Sequence, residues 1–170
     1  INVGGGAFTD GVEVTVCIPE ALLLESKEVW LIGVKALIAH EFGHINFSDF
    51  KVFKMHQEKV ANYFWNTFGL RNMHKFGAMM LNATEDGRME KLQATFRPGM
   101  LKYFQFLNSY YWKINKCSGN ELNDFFLQIA DLSVDGLVSP DFEARYAGTE
   151  CERRVNECRR YIVKAINCND

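Results

Sequence analysis

The sequence predicts a predominantly α-helical α+β domain, and three observations carry that expectation. Strand-like alternation is confined to the first eighteen residues, helix-period apolar spacing fills nearly everything after them, and glycine, proline or Ser-Gly-Asn cuts the helical stretches apart. Gly4-Gly5-Gly6 reads as a flexible opening and Thr9-Asp10-Gly11 as a turn. Val12, Val14 and Val16 then alternate with Glu13, Thr15 and Cys17, the period of a strand or hairpin, and Pro19 closes the region. A helix is expected over 27–48, with Val29, Ile32, Ala36 and Leu37 on its apolar side. A second covers 49–66 and is broken by Gly69; a third runs from Gly77 to Phe96 and stops before Pro98. The stretch 99–116, dense in Tyr103, Phe104, Phe106, Tyr110, Tyr111 and Trp112, reads as a core helix, because each aromatic ring buries a large apolar area. Ser118-Gly119-Asn120 precedes a helix over 121–133, Asp135 to Asp141 reads as a loop, and a charged final helix covers 149–167. No internal repeat or composition shift divides the chain, so residues 1–170 are expected to form a single domain. The opening at Ile1, without an initiator Met or a basic-then-apolar leader, reads as a processed chain or a fragment of a longer protein.

Composition limits the function classes. The 170 residues are 48% hydrophobic, 14% aromatic and 24% charged, with 19 basic side chains against 21 acidic ones and a net charge of −2. A nucleic-acid binder needs a basic face that this balance does not supply. Three prolines and no low-complexity tract argue against a disordered linker, and no apolar run approaches the roughly 20 residues of a membrane-spanning helix. The five cysteines are an odd number with no zinc-knuckle or redox spacing, which fits free thiols in a reducing, cytoplasmic setting.

The informative segment is His40-Glu41-Phe42-Gly43-His44. Residues four apart on a helix share a face, so the two imidazoles can reach one Zn²⁺ at ~2.0–2.1 Å. Glu41, turned by roughly 100° from His40, is placed to act on a water at the metal as general base. Ile38, Phe42, Gly43 and Ile45 around the motif are uncharged, and imidazoles on such a helix need a partner. A catalytic zinc takes a third protein ligand and keeps one position open. Phe47 and Phe50 stand where a metzincin would have Gly and His, which excludes that class, and Asp49 lies too far round the helix from His44. The third helix offers a better ligand. Its apolar stripe of Ala78, Leu81, Met89, Leu92 and Phe96 has Glu85 in its middle, where an unpaired carboxylate is costly. Glu85 is therefore the expected third ligand, with Asp86 as a hydrogen-bond partner to a ligating histidine. A shift of one residue in helix phase exchanges these two roles, and a Glu85–Arg88 pair is the structural alternative. His56, beside Gln57 and Glu58, reads as solvated surface, while His74 follows the Gly69 break and could be a mobile site residue.

With these residues in place, HEFGHINFSDF followed by NATEDGRMEKL resembles the zincin-type metallopeptidase domains of bacterial and phage proteins, of the kind often found ahead of von Willebrand factor A modules. AFTDGVEVTVCIPE looks like the strand preceding the zinc helix there, so the resemblance covers about residues 7 to 95. It implies a zincin-like fold, with a small N-terminal hairpin or sheet packed on the active-site helix, and a metal site of His40, His44 and Glu85 with Glu41 as base. No von Willebrand module is present in this chain. The expected function is a zinc-dependent metallopeptidase acting on a peptide or protein substrate, with residues 12–17 pairing to extended substrate. Tyr146, His74 and Arg88 are the residues considered for stabilising the oxyanion. The alternatives are a non-catalytic protein-binding adaptor that retains a zinc site, and a hydrolase of non-peptide amides.

Overall fold

Six apolar or small residues on the segment 27–47, from Gly33 to Gly43, are buried together with Glu41, and this segment forms the helix around which its half of the protein is arranged. A computed structural model describes residues 2–3, 8–69 and 74–168 of the chain. The packing resolves into two compact units, one made of residues 1–48 and 89–115, the other of 49–88 and 116–170. Among the described residues no helix is long and apolar enough to cross a membrane.

The first unit opens with two small sheets. Strands β1 (Asn2–Val3) and β4 (Cys17–Ile18) pair in parallel, and β2 (Phe8–Thr9) pairs antiparallel with β3 (Val14–Thr15), Phe8 opposite Thr15. Val12 does not continue the strand as the alternation suggested: it is 85% exposed in the hairpin turn. There Asp10 Oδ1 accepts from the Val12 and Glu13 amides, both at 2.9 Å, and Gly11 takes φ 92°. An Asx-type turn thus captures residues that hydropathy assigned to the strand. Gly4-Gly5-Gly6 lies outside the described residues.

Helix α1 (Glu20–Leu23) is a single turn that the sequence reading did not separate. It inserts Leu22 against α2 (Lys27–Phe47), where the absence of a Cβ on Gly33 leaves room for the leucine methyls. Ser26 caps α2, its Oγ accepting from the Val29 amide at 3.4 Å. The later part of α4 (His74–Phe96), a 3-10 turn at Pro98–Met100 and α5 (Leu101–Ile114) complete the unit. As expected for the aromatic stretch, Phe104, Leu107 and Tyr110 of α5 are buried, Tyr110 packing with Ile18, Leu22 and Val34 and Leu107 with Ala36 and Leu37. Val16 and the β2–β3 hairpin pack on α2 in the same layer.

The second unit contains α3 (Phe50–Phe68), the first part of α4, α6 (Glu121–Val134), α7 (Pro140–Tyr146) and α8 (Glu150–Ile166). Asp49 caps α3, accepting from the Lys51 and Val52 amides, and Gly69 ends it in the left-handed conformation at φ 63°. Its core is Ile129 and Leu132 of α6 against Phe142, Val155 and Ile162. Helix α7 occupies the end of the expected loop: Ser139 caps it and Pro140 sits in its first turn, both ordinary helix starts. Gly87 of α4 has no space for a Cβ, which would fall 1.9 Å from the Ser133 carbonyl oxygen of α6.

The polar centre of this unit is Asp124, 2% exposed. Its carboxylate accepts from the Ser118 amide and hydroxyl, the Gly119 amide at 2.9 Å and the Tyr146 hydroxyl at 2.7 Å. Burial opposes the charge, but these bonds hold the carboxyl below its ordinary range. The same bond pushes the Tyr146 phenol from 10.0 up to about 12. Burial, then the bond to Asp141, pushes the Cys117 thiol up to about 12 from 9.0. Groups raised on folding stabilise the fold in their protonated form below their unfolded values and lose that contribution as pH rises through the folded ones. Urea-unfolding midpoints should accordingly hold up to about pH 9 and fall steadily towards pH 12. Tyr146→Phe should show a shallower fall than the wild type above pH 10.

Candidate metal centre

The first unit brings His40 and His44 together one turn apart on α2, with ring centroids 4.9 Å apart and planes at 75°. Their Nε2 atoms stand 3.2 Å from each other. Two donors on one tetrahedral zinc at ~2.0–2.1 Å would be ~3.3–3.4 Å apart, so this pair has the right spacing without any rearrangement. The Nδ1 atoms are both engaged away from that point: His40 Nδ1 with Glu90 Oε1 at 2.8 Å, and His44 Nδ1 with Ser48 Oγ at 2.9 Å. Glu41, 4% exposed, is buried between them along the helix.

Glycine at position 43 makes this arrangement reachable. A Cβ there would lie 2.0 Å from Met89 Sδ and 2.2 Å from Gln93 Oε1, both on α4. Contact between α2 and α4 is therefore direct, and Gln93, 1% exposed, donates from Nε2 to the Ala39 carbonyl at 3.0 Å. Met89, Glu90 and Gln93 form the buried face of α4 in this unit. Phe96, expected on the apolar stripe, is 69% exposed. The face is shifted from the expected one because two polar residues on it are bonded to α2, a fact that apolar counting does not register.

That shift decides which acidic residues join the histidines. Glu85 is clasped by Arg88, which donates from Nε at 2.8 Å and from Nη2 at 2.7 Å, the structural alternative weighed for it. The Glu85 bond also raises the Arg88 guanidinium above its ordinary value. Asp86 stands one turn before Glu90 on α4, which is unbroken from His74 to Phe96, so the same rod presents both. Among the described residues His40, His44 and Asp86 form the group of histidine and acidic side chains able to hold a metal ion, with donor atoms all within 4.8 Å of one another. The role expected of Asp86, hydrogen-bonding a histidine ring nitrogen, is filled for His40 by Glu90.

His56 is exposed on α3, and His74 begins α4 with its side chain outside the described residues. Tyr146 is buried on Asp124, and Arg88 is held by Glu85. A phenol that the sequence reading counted only as core is Tyr111 of α5. Its burial and then the nearby Glu41 charge raise it above the ordinary tyrosine value, so it stays a hydrogen-bond donor. A cavity of about 320 Å³ lined in part by Ile38, Phe42, Gln93 and Arg97 lies across α2 from the imidazoles, since 38 and 42 are half a turn round from 40. No known protein family, curated protein or solved structure matches the chain.

Replacing Gly43 by Ala should destabilise the protein by about 1–3 kcal/mol through overpacking against Met89 and Gln93. Gly99→Ala, where nothing lies within 4 Å of the new methyl, should stay within about 0.5 kcal/mol of wild type. Thermal melts of the two variants side by side check this.

Proposed function

We propose that the chain is a zinc-dependent metallopeptidase of the zincin type, with His40, His44 and Asp86 holding the ion and Glu41 as general base. The observation that carries the reading is the histidine pair itself. Two Nε2 atoms converge at 3.2 Å while both Nδ1 atoms are tied elsewhere, an arrangement that supports a zinc reading because zinc sites use such donors and anchor them in this way. Asp86 supplies the third donor in place of the Glu85 favoured from sequence, because Arg88 already occupies the Glu85 carboxylate. Three protein donors is the number catalytic zinc sites use.

Zinc held there would lower the pKa of water to about 7 and polarise a substrate carbonyl. Glu41 takes a proton from the attacking water and returns it to the departing amine, work that needs a carboxylate fixed beside the histidines. Its burial on α2 supplies that fixation. The β2–β3 hairpin against α2 agrees with a zincin-like arrangement, as does the resemblance of HEFGHINFSDF and NATEDGRMEKL to zincin-type domains. The substrate in this reading is a peptide or protein, and the five free thiols suit a cytoplasmic setting.

Elemental analysis of protein purified without added metal should find about one zinc per chain in the wild type and in Glu85→Ala, and a sharp loss in Asp86→Ala. Zinc retained in Asp86→Ala but lost in Glu85→Ala would restore the sequence-based ligand choice.

Glu41→Gln should keep its zinc and lose roughly 10²–10⁴-fold in hydrolysis of a fluorogenic peptide library, the range of a general base. Unchanged turnover in that variant overturns the mechanism. Zinc without hydrolysis of any peptide in the wild type would mark the chain as a binding module that retains a metal site.

A further inference from the structure

We infer that Glu90 is the positioning residue of this site: it fixes the His40 proton on Nδ1 and so turns the Nε2 lone pair to the place where the two imidazoles converge. The tautomer follows from the hydrogen-bond geometry and the acceptor-only chemistry of a carboxylate, while its consequence for affinity rests on the zinc reading above. Glu90 is 6% exposed and its Oε1 lies 2.8 Å from His40 Nδ1. An ionised carboxylate has only acceptors, so the hydrogen in that bond belongs to the imidazole. A carboxylate at this depth needs a donor, and among the described residues His40 supplies it. The carboxylate cannot drift, because Met89 and Gln93 on either side of it are wedged against Gly43 and Gln93 is bonded to the Ala39 carbonyl.

The partner of His44 is different in kind. Ser48 Oγ can donate or accept, so the bond at 2.9 Å leaves the His44 tautomer free to change. One ring is locked and the other is adaptable. With His40 protonated on Nδ1, the 3.2 Å contact between neutral rings requires His44 to donate from Nε2, and Ser48 then gives its hydrogen to His44 Nδ1. Presenting both lone pairs at once needs the His44 proton to pass from Nε2 to Nδ1, by exchange with solvent, and the Ser48 hydroxyl to turn and accept from it. Nothing about His40 has to move.

The direct test is imidazole ¹⁵N NMR of the metal-free chain, at a pH above the imidazole titration. Wild type should show His40 as a single Nδ1–H tautomer, Glu90→Ala a mixture, and Glu90→Gln, which keeps an accepting carbonyl, a state between them. A wild-type His40 protonated on Nε2, or a tautomer unchanged in Glu90→Ala, overturns the assignment. The second readout is zinc affinity by chelator competition, where Glu90→Ala should bind roughly 10–100-fold more weakly and Glu90→Gln lose less. Equal affinity in wild type and Glu90→Ala also overturns it. A wild type that holds no zinc sinks the metallopeptidase reading and leaves the tautomer measurement to decide the role of Glu90. Circular dichroism shows whether Glu90→Ala folds; where it does not, the same two measurements on Glu90→Gln decide.

Discussion

The structure around the histidines depends on one missing atom. Position 43 has no Cβ, and two α4 side chains occupy the space that one would take. Any side chain there would force the helices apart, because packed interiors take up added volume only by moving backbone or leaving rotamer wells. Separation would break both the Gln93–Ala39 and the Glu90–His40 bonds, since both span the same seam. The third residue between the histidines is thus a packing requirement, with consequences for every polar contact of the site.

Burying polar groups along that seam has a cost that the fold meets by pairing. Glu41, Glu90 and Gln93 are all under a tenth exposed. Glu90 is satisfied by a ring nitrogen, and the Gln93 amide hydrogen by a helix carbonyl that also serves its own backbone ladder. Such groups add specificity of register as well as stability, because sliding α4 by one residue along α2 would strand both of them at once. The second unit uses the same logic around Asp124, where loop amides and the Tyr146 hydroxyl converge on one carboxylate. Its purpose there is to fasten the loop before α6 to the end of α7.

Much of this was legible in the residues. The limits of α2, α3, α6 and α8 follow from capping and periodicity, and each lies within one or two residues of where Ser26, Asp49, Asn120 and Thr149 would start a helix. The histidine spacing placed both rings on one face. Two features were not legible. Val12 joins the turn because the Asp10 side chain outbids the strand ladder for its amide, a local competition that alternation cannot show. The phase of α4 escaped because hydropathy treats a buried Glu or Gln as an outward residue, whereas here tertiary hydrogen bonds hold Glu90 and Gln93 inside. Helix α7 lay in plain view as Ser139-Pro140, a cap and first-turn pair read as loop.

Helix α4 belongs to both compact units, and this has a consequence for how the protein can be taken apart. The chain leaves the first unit at Ser48 and re-enters it at Met89, so the segment bearing His40 and the segment bearing Glu90 are not contiguous. No single cut isolates them together without the stretch between. Truncation after α2 yields imidazoles with no carboxylate behind them, and their fifty-residue separation from Glu90 makes the site a product of long-range closure, formed only once distant parts of the chain have met. A minimal version would have to be built by rewiring, with residue 48 joined by a new linker to α4 ahead of Asp86, so that Asp86 and Glu90 are both kept, since nature's order of synthesis does not contain it as a piece.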